Sequence, residues 1–320
     1  TGEFNTSLGS LSMGSGVATG DSNVVVGYNA GVLMTSGAQN VFLGANAGDA
    51  ITTGSFNVLV GERSGSSQTT ANYNTALGQN SLFTNVAGAN CVAIGSGALA
   101  TMTSASALNM FNTAVGASAG TSVTTGVQNT LIGGLAGDAI TVADHNVAVG
   151  YGALTSNVFG DYSVAIGSGA LDEQNPADGS HSVYNVAIGF NAGADITSGY
   201  GHTIIGGQAG DAITTSVDNT VMGKEALSAE TTGSYNTAIG KEALKVQGGG
   251  VENTALGRQA GLAVTTGDNN TLIGGNAGDA LTTGSNNIII GYTAAASAVD
   301  VSNTTVIGTA TTTNAVVHGL

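Results

Sequence analysis

A glycine returns about every seventeen residues along this chain, usually with an asparagine four positions before it. Eighteen such glycines run from Gly9 to Gly308, and fourteen of the seventeen intervals are 17 residues; the others are 18, 21 and 22. A fixed period of this size makes each copy one turn of a stacked solenoid. By length alone, 320 residues would suggest two globular domains. The repeat argues instead for one continuous all-β domain over 1–308, a parallel β-solenoid of about 18 coils of 17 residues. Insertions fall near 101–111 and 172–184, and 309–320 form a C-terminal exit segment.

Asn57-Val58-Leu59-Val60-Gly61 is a sample turn. Three residues before the glycine stands Thr, Val or Ile in every copy, and one before it stands Ile, Val, Leu or Met. Residues two apart on a strand share a face, so these positions form one apolar face. The residue between them points the other way; it is Ala in eight copies and polar only at Ser7. A strand apolar on both faces is buried on both. The larger pair is expected to fill the coil, and the Ala-rich face to meet a second subunit. Two short strands and two bends, one at Thr-Thr-Gly, would complete each coil. The in-phase asparagines are expected to form an amide ladder at the 4.8 Å strand spacing.

Three residues after the glycine stands Ala in most copies, and beyond it the coils are of two kinds. One has Gly next and an aliphatic three later, as in Gly48 with Ile51 or Gly137 with Ile140. The other has Leu next and a polar residue later, as in Leu82 with Asn85 or Leu244 with Gln247. We read this as a volume swap inside a densely packed coil. Leu99 with Met102 and Gly65 with Gln68 break the rule. The kinds alternate in pairs, giving four-coil units of 73 and then 68 residues.

Composition narrows the function classes. Five basic residues and a net charge of −15 argue against nucleic acid and anionic membranes as partners. No apolar run reaches the ~18 residues that cross a bilayer. One cysteine, Cys91, and one proline, Pro176, leave no disulfide or Pro-rich linker. The chain opens in mid-repeat at Thr1-Gly2-Glu3-Phe4-Asn5 and shows no polar capping turn, which reads as a piece of a longer protein with flanking domains.

Asn185-Val-Ala-Ile-Gly189 and Asn236-Thr-Ala-Ile-Gly240, each with Ala three residues later, resemble the head repeats of trimeric autotransporter adhesins. The seventeen-residue pattern as a whole resembles repeats of phage tail-fibre shafts. The resemblance implies a left-handed β-roll, a homotrimer, and attachment to a host-surface glycan or receptor, with other fibre components at both ends. It implies location on the virion tail or, alternatively, on a bacterial cell surface. The stretch from Ser302 through Thr311 to Leu320 resembles the segment before a self-cleaving chaperone domain.

Candidate receptor contacts lie in the second insertion, at Asp172, Glu173, Asp178, His181 and Tyr184, because insertions leave a solenoid as loops. Others lie in an aromatic file just before the Asn slot, at Tyr73, Tyr162 and Tyr235 with Phe4, Phe56 and Phe111. Tyrosine offers a sugar an apolar face and a polar tip; subunit packing or a solvated loop is the plainer reading of both sets. Lys224, Lys241 and Arg258, with Glu225 and Glu242, read as a local ion-pair ladder. Gly-Asp-Ala-Ile/Leu-Thr recurs at 48–52, 137–141, 210–214 and 278–282, four or five coils apart, too far to share one calcium ion. We therefore expect no metal, no cofactor and no catalytic residues, and weigh an ice-binding solenoid and a glycan-cleaving spike as minor alternatives.

Overall fold

The structure, a computed structural model, describes residues 2–14, 18–104, 108–176 and 182–309. Parts of both insertions (105–107 and 177–181) and the exit segment from 310 onward lie outside the described residues. Each coil contributes one three-residue strand, and among the described residues the rest of the coil is turns rather than a second strand. This corrects the expectation of two strands per coil. The positions two and four after the repeat glycine adopt positive φ, for example Asn46 at 55° and Leu82 at 50°, which breaks any extended path there.

The chain forms two compact units. The first holds nine strands, from Thr6–Leu8 to Val147–Val149, and the second nine, from Val164–Ile166 to Thr305–Ile307. In each unit every strand pairs in parallel with that of the next coil, and like repeat positions face each other. Val41 lies opposite Val58 and Leu131 opposite Ala148 in the first, and Thr237 opposite Thr254 in the second.

The asparagines join one coil to the next through the backbone. Asn129 accepts the Asn146 N–H at its Oδ1 (3.0 Å) and donates from Nδ2 to the Ala143 carbonyl (2.9 Å). Asn236 does the same with the Asn253 N–H (2.9 Å) and the Gly250 carbonyl (2.8 Å). The amide therefore measures the next coil at two points, fourteen and seventeen residues ahead. A second ladder, not anticipated from the sequence, runs two positions before the Asn slot. There an Asp, Ser or Asn side chain accepts the N–H of the same position one coil back, as Asp161 does from Asp144 (2.7 Å) and Asp268 from Val251 (2.8 Å).

The repeat glycine is required twice over. Gly133 has φ 136°, and a methyl group placed on it would lie 2.4 Å from the Gly150 carbonyl oxygen.

The strand faces are the reverse of the sequence expectation. The middle residue, from Val25 to Ile289, is fully buried inside the coil, Ala-rich as it is. The flanking Thr/Val/Ile and Leu/Ile/Met residues point outward, with Val41 38% and Leu43 48% exposed. The reason is the width of the coil. Opposite the strand sit the Ala three after the glycine and the Leu or Gly after it, and these leave room for one strand side chain, not two.

The volume swap is present, and it extends between coils. Ile51, Val123, Ile140 and Ile213 of the Gly kind and Leu82, Leu154, Leu171 and Leu244 of the Leu kind are all fully buried. Where both the strand centre and the swap position are small, neighbouring coils fill the gap. A methyl group on Gly120 would lie 2.6 Å from Leu131 Cδ1 of the next coil and 3.0 Å from Leu99 Cδ2 of the previous one. Gly261 stands in the same relation to Leu272 and Leu244. The exception at Leu99 and Met102 buries both side chains beside the small Cys91, whose Sγ lies 3.9 Å from Met102 Sδ.

Gln68 marks a fault in this packing. It is fully buried, and neither its Oε1 nor its Nε2 has a hydrogen-bond partner. Gln68→Leu gives its coil the aliphatic found in sister Gly-type coils and removes two orphaned polar atoms. It should raise stability by about 1–3 kcal/mol in urea unfolding. Asn129→Ala, which strands the Asn146 N–H and the Ala143 carbonyl, should lower it by a similar or larger amount.

Candidate functional site

The residue just before the Asn slot takes a left-handed conformation in coil after coil, with φ 62° at Phe56, 59° at Tyr73, 60° at Tyr162 and 62° at Tyr235. Its N–H is held by the previous coil, as Phe56 is by the Ala38 carbonyl (3.0 Å) and Tyr73 by that of Ser55 (3.2 Å). This bond offsets the cost of positive φ, about 1–2 kcal/mol for a residue with a Cβ. The side chains are directed outward, and Phe4, Phe56, Tyr73, Phe111, Tyr162, Tyr184 and Tyr235 are all exposed. Adjacent rings stack at the coil spacing: Phe56 and Tyr73 at 4.9 Å and 9°, His145 and Tyr162 at 5.0 Å and 8°.

The expected contact residues do not form one cluster. Tyr73 and Tyr162 belong to the first unit; Asp172, Glu173, Tyr184 and Tyr235 belong to the second. Tyr184 and Tyr235 are three coils apart in one file, about 14 Å at the strand spacing. Glu173 is exposed and its N–H is bound by the Ala194 carbonyl (2.9 Å); Asp172 beside it is half-buried. Asp178 and His181 lie outside the described residues.

The charged groups are mostly engaged locally. Glu225 accepts Lys245 at 2.6 Å and Lys224 at 2.9 Å, and these two ammonium groups hold its carboxyl at about 2. Lys241 pairs with Glu242 at 3.3 Å. Glu230 is fully buried in a nest of donors: Oε1 accepts the N–H groups of Thr231, Thr232 and Gly233, and Oε2 accepts from Gln247 and Gly249. At Asp211, burial raises the carboxyl pKa, and the carboxylates of Asp195 and Glu225 add to it. Among the described residues, no three His, Cys, Asp or Glu side chains converge as a metal site would require.

Threonine hydroxyls along the bend also point into the stack. Thr35 donates to the Thr52 carbonyl (3.0 Å) and Thr214 to that of Thr231 (2.9 Å). These donors are committed to the fold, which counts against a regular ice-binding array.

Two Asn slots hold titratable residues, Cys91 and His202, and the sequence reading passed over the second. Burial pushes the Cys91 thiol up to about 12, so it is an inert filler. His202 replaces the asparagine as a working rung: its Nε2 meets the Ser216 carbonyl at 2.9 Å, and its Nδ1 accepts the Asn219 N–H at 3.2 Å. Both contacts together require the neutral ring with its proton on Nε2. The signal was available, since His202 sits four residues before Gly206. Compared with family models and with curated proteins, the chain matches none.

His202 supplies a pH test. Burial lowers its pKa from 6.5 to about 4, so below pH 6.5 the unfolded chain takes up a proton that the folded chain refuses. Stability should therefore fall between pH 6.5 and about 4, by about 3 kcal/mol at the lower limit. His202→Asn should remove that part of the slope, as read by denaturant midpoints across the range.

Proposed function

We propose that this chain is the shaft of an attachment fibre of the phage tail-fibre kind. Three copies associate around a common axis, and the fibre spaces or presents receptor-binding elements at a host cell surface. The observation that carries the reading is the outward strand face. The two outward strand positions are Thr, Val, Ile, Leu or Met in all eighteen coils, with no charged residue among them. In a chain of net charge −15, every carboxylate and every cation has been kept off this ribbon.

In the single chain the ribbon is wet: Leu77, Met222 and Leu256 are 47%, 43% and 45% exposed. Nine coils make a stripe on the order of 40 Å long in each unit. Contiguous apolar patches of this extent mark association surfaces. Self-association thus remains the reading, through the β-branched face rather than the Ala-rich one. A scaffold role fits the rest of the surface, where bend side chains and hydroxyls are spent on holding coil to coil.

Light scattering should return three chains per particle. Ile132→Asp with Leu256→Asp changes exposed ribbon positions and leaves the buried neighbours Leu131 and Ala255 in place. It should release single chains that keep the wild-type circular dichroism. The intact fibre should compete with virions for adsorption to the host, and the released chain should compete at least tenfold less well. A wild-type chain that stays single in dilute solution would sink the proposal.

A further inference from the structure

Two columns border the apolar ribbon, one at the position after the repeat glycine and one at the position before the Asn slot. The only cations in the first are Lys224, Lys241 and Arg258, in three consecutive coils. The only anions in the second are Asp218 and Glu252, in the first and third of those same coils, with Tyr235 between them. Coil by coil, Asp218 goes with Lys224, Tyr235 with Lys241, and Glu252 with Arg258.

Within one chain these partners do not meet. Strand Thr220–Met222 separates Asp218 from Lys224, roughly 15–20 Å at the extended rise. Among the described residues neither Asp218 nor Glu252 has an ion pair, and the Arg258 guanidinium donates to the side-chain Oδ1 of Asn276 (2.8 Å). Lys224 shares Glu225 with Lys245 and so can turn away without leaving that carboxylate bare.

We propose that the cationic column of one copy pairs with the anionic column of the next copy around the axis, and that these pairs fix the vertical register of the fibre. The inference rests on the self-association proposed above. Cyclic symmetry repeats one heterologous contact, so all strands run the same way round the axis. The end of one strand then approaches the start of its neighbour's. In register, Lys224 meets Asp218, Arg258 meets Glu252, and Lys241 faces the Tyr235 ring of the next copy.

The ribbon alone cannot set this register. Its outward residues repeat in kind every coil, so a slip of one coil costs it little. The same slip leaves the columns one ion pair instead of two, whichever way it goes. In no coil do the two columns carry charges of like sign. Aromatic residues coincide as well, with Phe190 and Tyr184 in one coil and Tyr151 and His145 in another. Such rim charges act on specificity more than on affinity.

The test is a cysteine pair, Asp218→Cys with Lys224→Cys. The two sites are too far apart in one chain for a disulfide, which needs Cα atoms within about 7 Å, and the buried Cys91 thiol does not compete. After mild oxidation the double variant should run as covalent multimers on a non-reducing denaturing gel, and either single variant should not. Multi-chain particles that yield only single-chain bands would overturn this inference and leave self-association standing. Single-chain particles before oxidation would overturn both. As a second measurement, D218K/E252K and K224E/R258E chains should each dissociate at tenfold or higher concentration than wild type. A ring of three built from both variants keeps one mismatched contact in place of three, so mixing the two should recover part of the assembly; a mixture that assembles no better than either variant alone would overturn the pairing.

Discussion

The side-chain amide that reaches across to the next coil is the contact on which the rest of this structure depends. A thin coil has no lateral partner for its backbone, so its N–H and C=O groups must be satisfied along the stack. The Asn slot does this at two fixed distances, to a carbonyl fourteen residues on and to an N–H seventeen residues on, as between Asn57, Ala71 and Asn74. That double measurement makes the period rigid. The first interval, of 18 residues, keeps both bonds, fifteen and eighteen residues on from Asn5. The two long intervals follow the coils whose slots hold Cys91 and Ser163. A main-chain bridge between Ala89 and Asn109 joins the coils at the first of these sites.

Packing acts on a longer range than the ladder. A coil with Ala at its strand centre and Gly at the swap position is underfilled by itself. Ala114 with Gly120 is filled by Leu99 below and Leu131 above; Ala187 with Gly193 by Leu171 and Ile204; Ala255 with Gly261 by Leu244 and Leu272. Each small coil therefore needs a Leu-type coil before it and a large-centred coil after it. The unit that packs is a group of four coils, and this is the physical content of the four-coil repetition. A single coil is not an interchangeable part, although the ladder alone would allow it to be.

Much of this was legible in the sequence, because spacing reports stacking directly. The period gave parallel, in-register strands, and the pairing of Leu82 with Asn85 against Gly48 with Ile51 gave the volume swap. What could not be read is which way the strand faces. Hydrophobic size points to Val41 and Leu43 as core and away from Ala76, and that inference fails where the interior is too narrow for the larger pair. The left-handed bends were also hidden, since Phe, Tyr, Gln, Glu and Asn at that position share no turn signature. The second ladder escaped because Asp, Ser and Asn alternate with Val and Ala in its column. Of the proposed contact residues, the sequence located the file but not its state: Tyr73 and Tyr162 already stack on their neighbours, so part of each ring face is spoken for.

The division of labour among positions bears on how such a solenoid can change. Inside the coil, buried side chains reach their neighbours above and below, as Leu99 and Leu131 do around Gly120, so substitutions are felt across coils. The outward strand face is uniform in kind, so it carries no information about position along the stack. Information of that kind has to lie in the columns at the ribbon's edges, where charge and aromaticity vary from coil to coil. In the proposed fibre, specificity between copies and contact with a host would both draw on the same edge positions. If the chain is the shaft proposed above, changes at those edges would alter whom it recognises without disturbing how its coils stack, which depends on the slot before each repeat glycine.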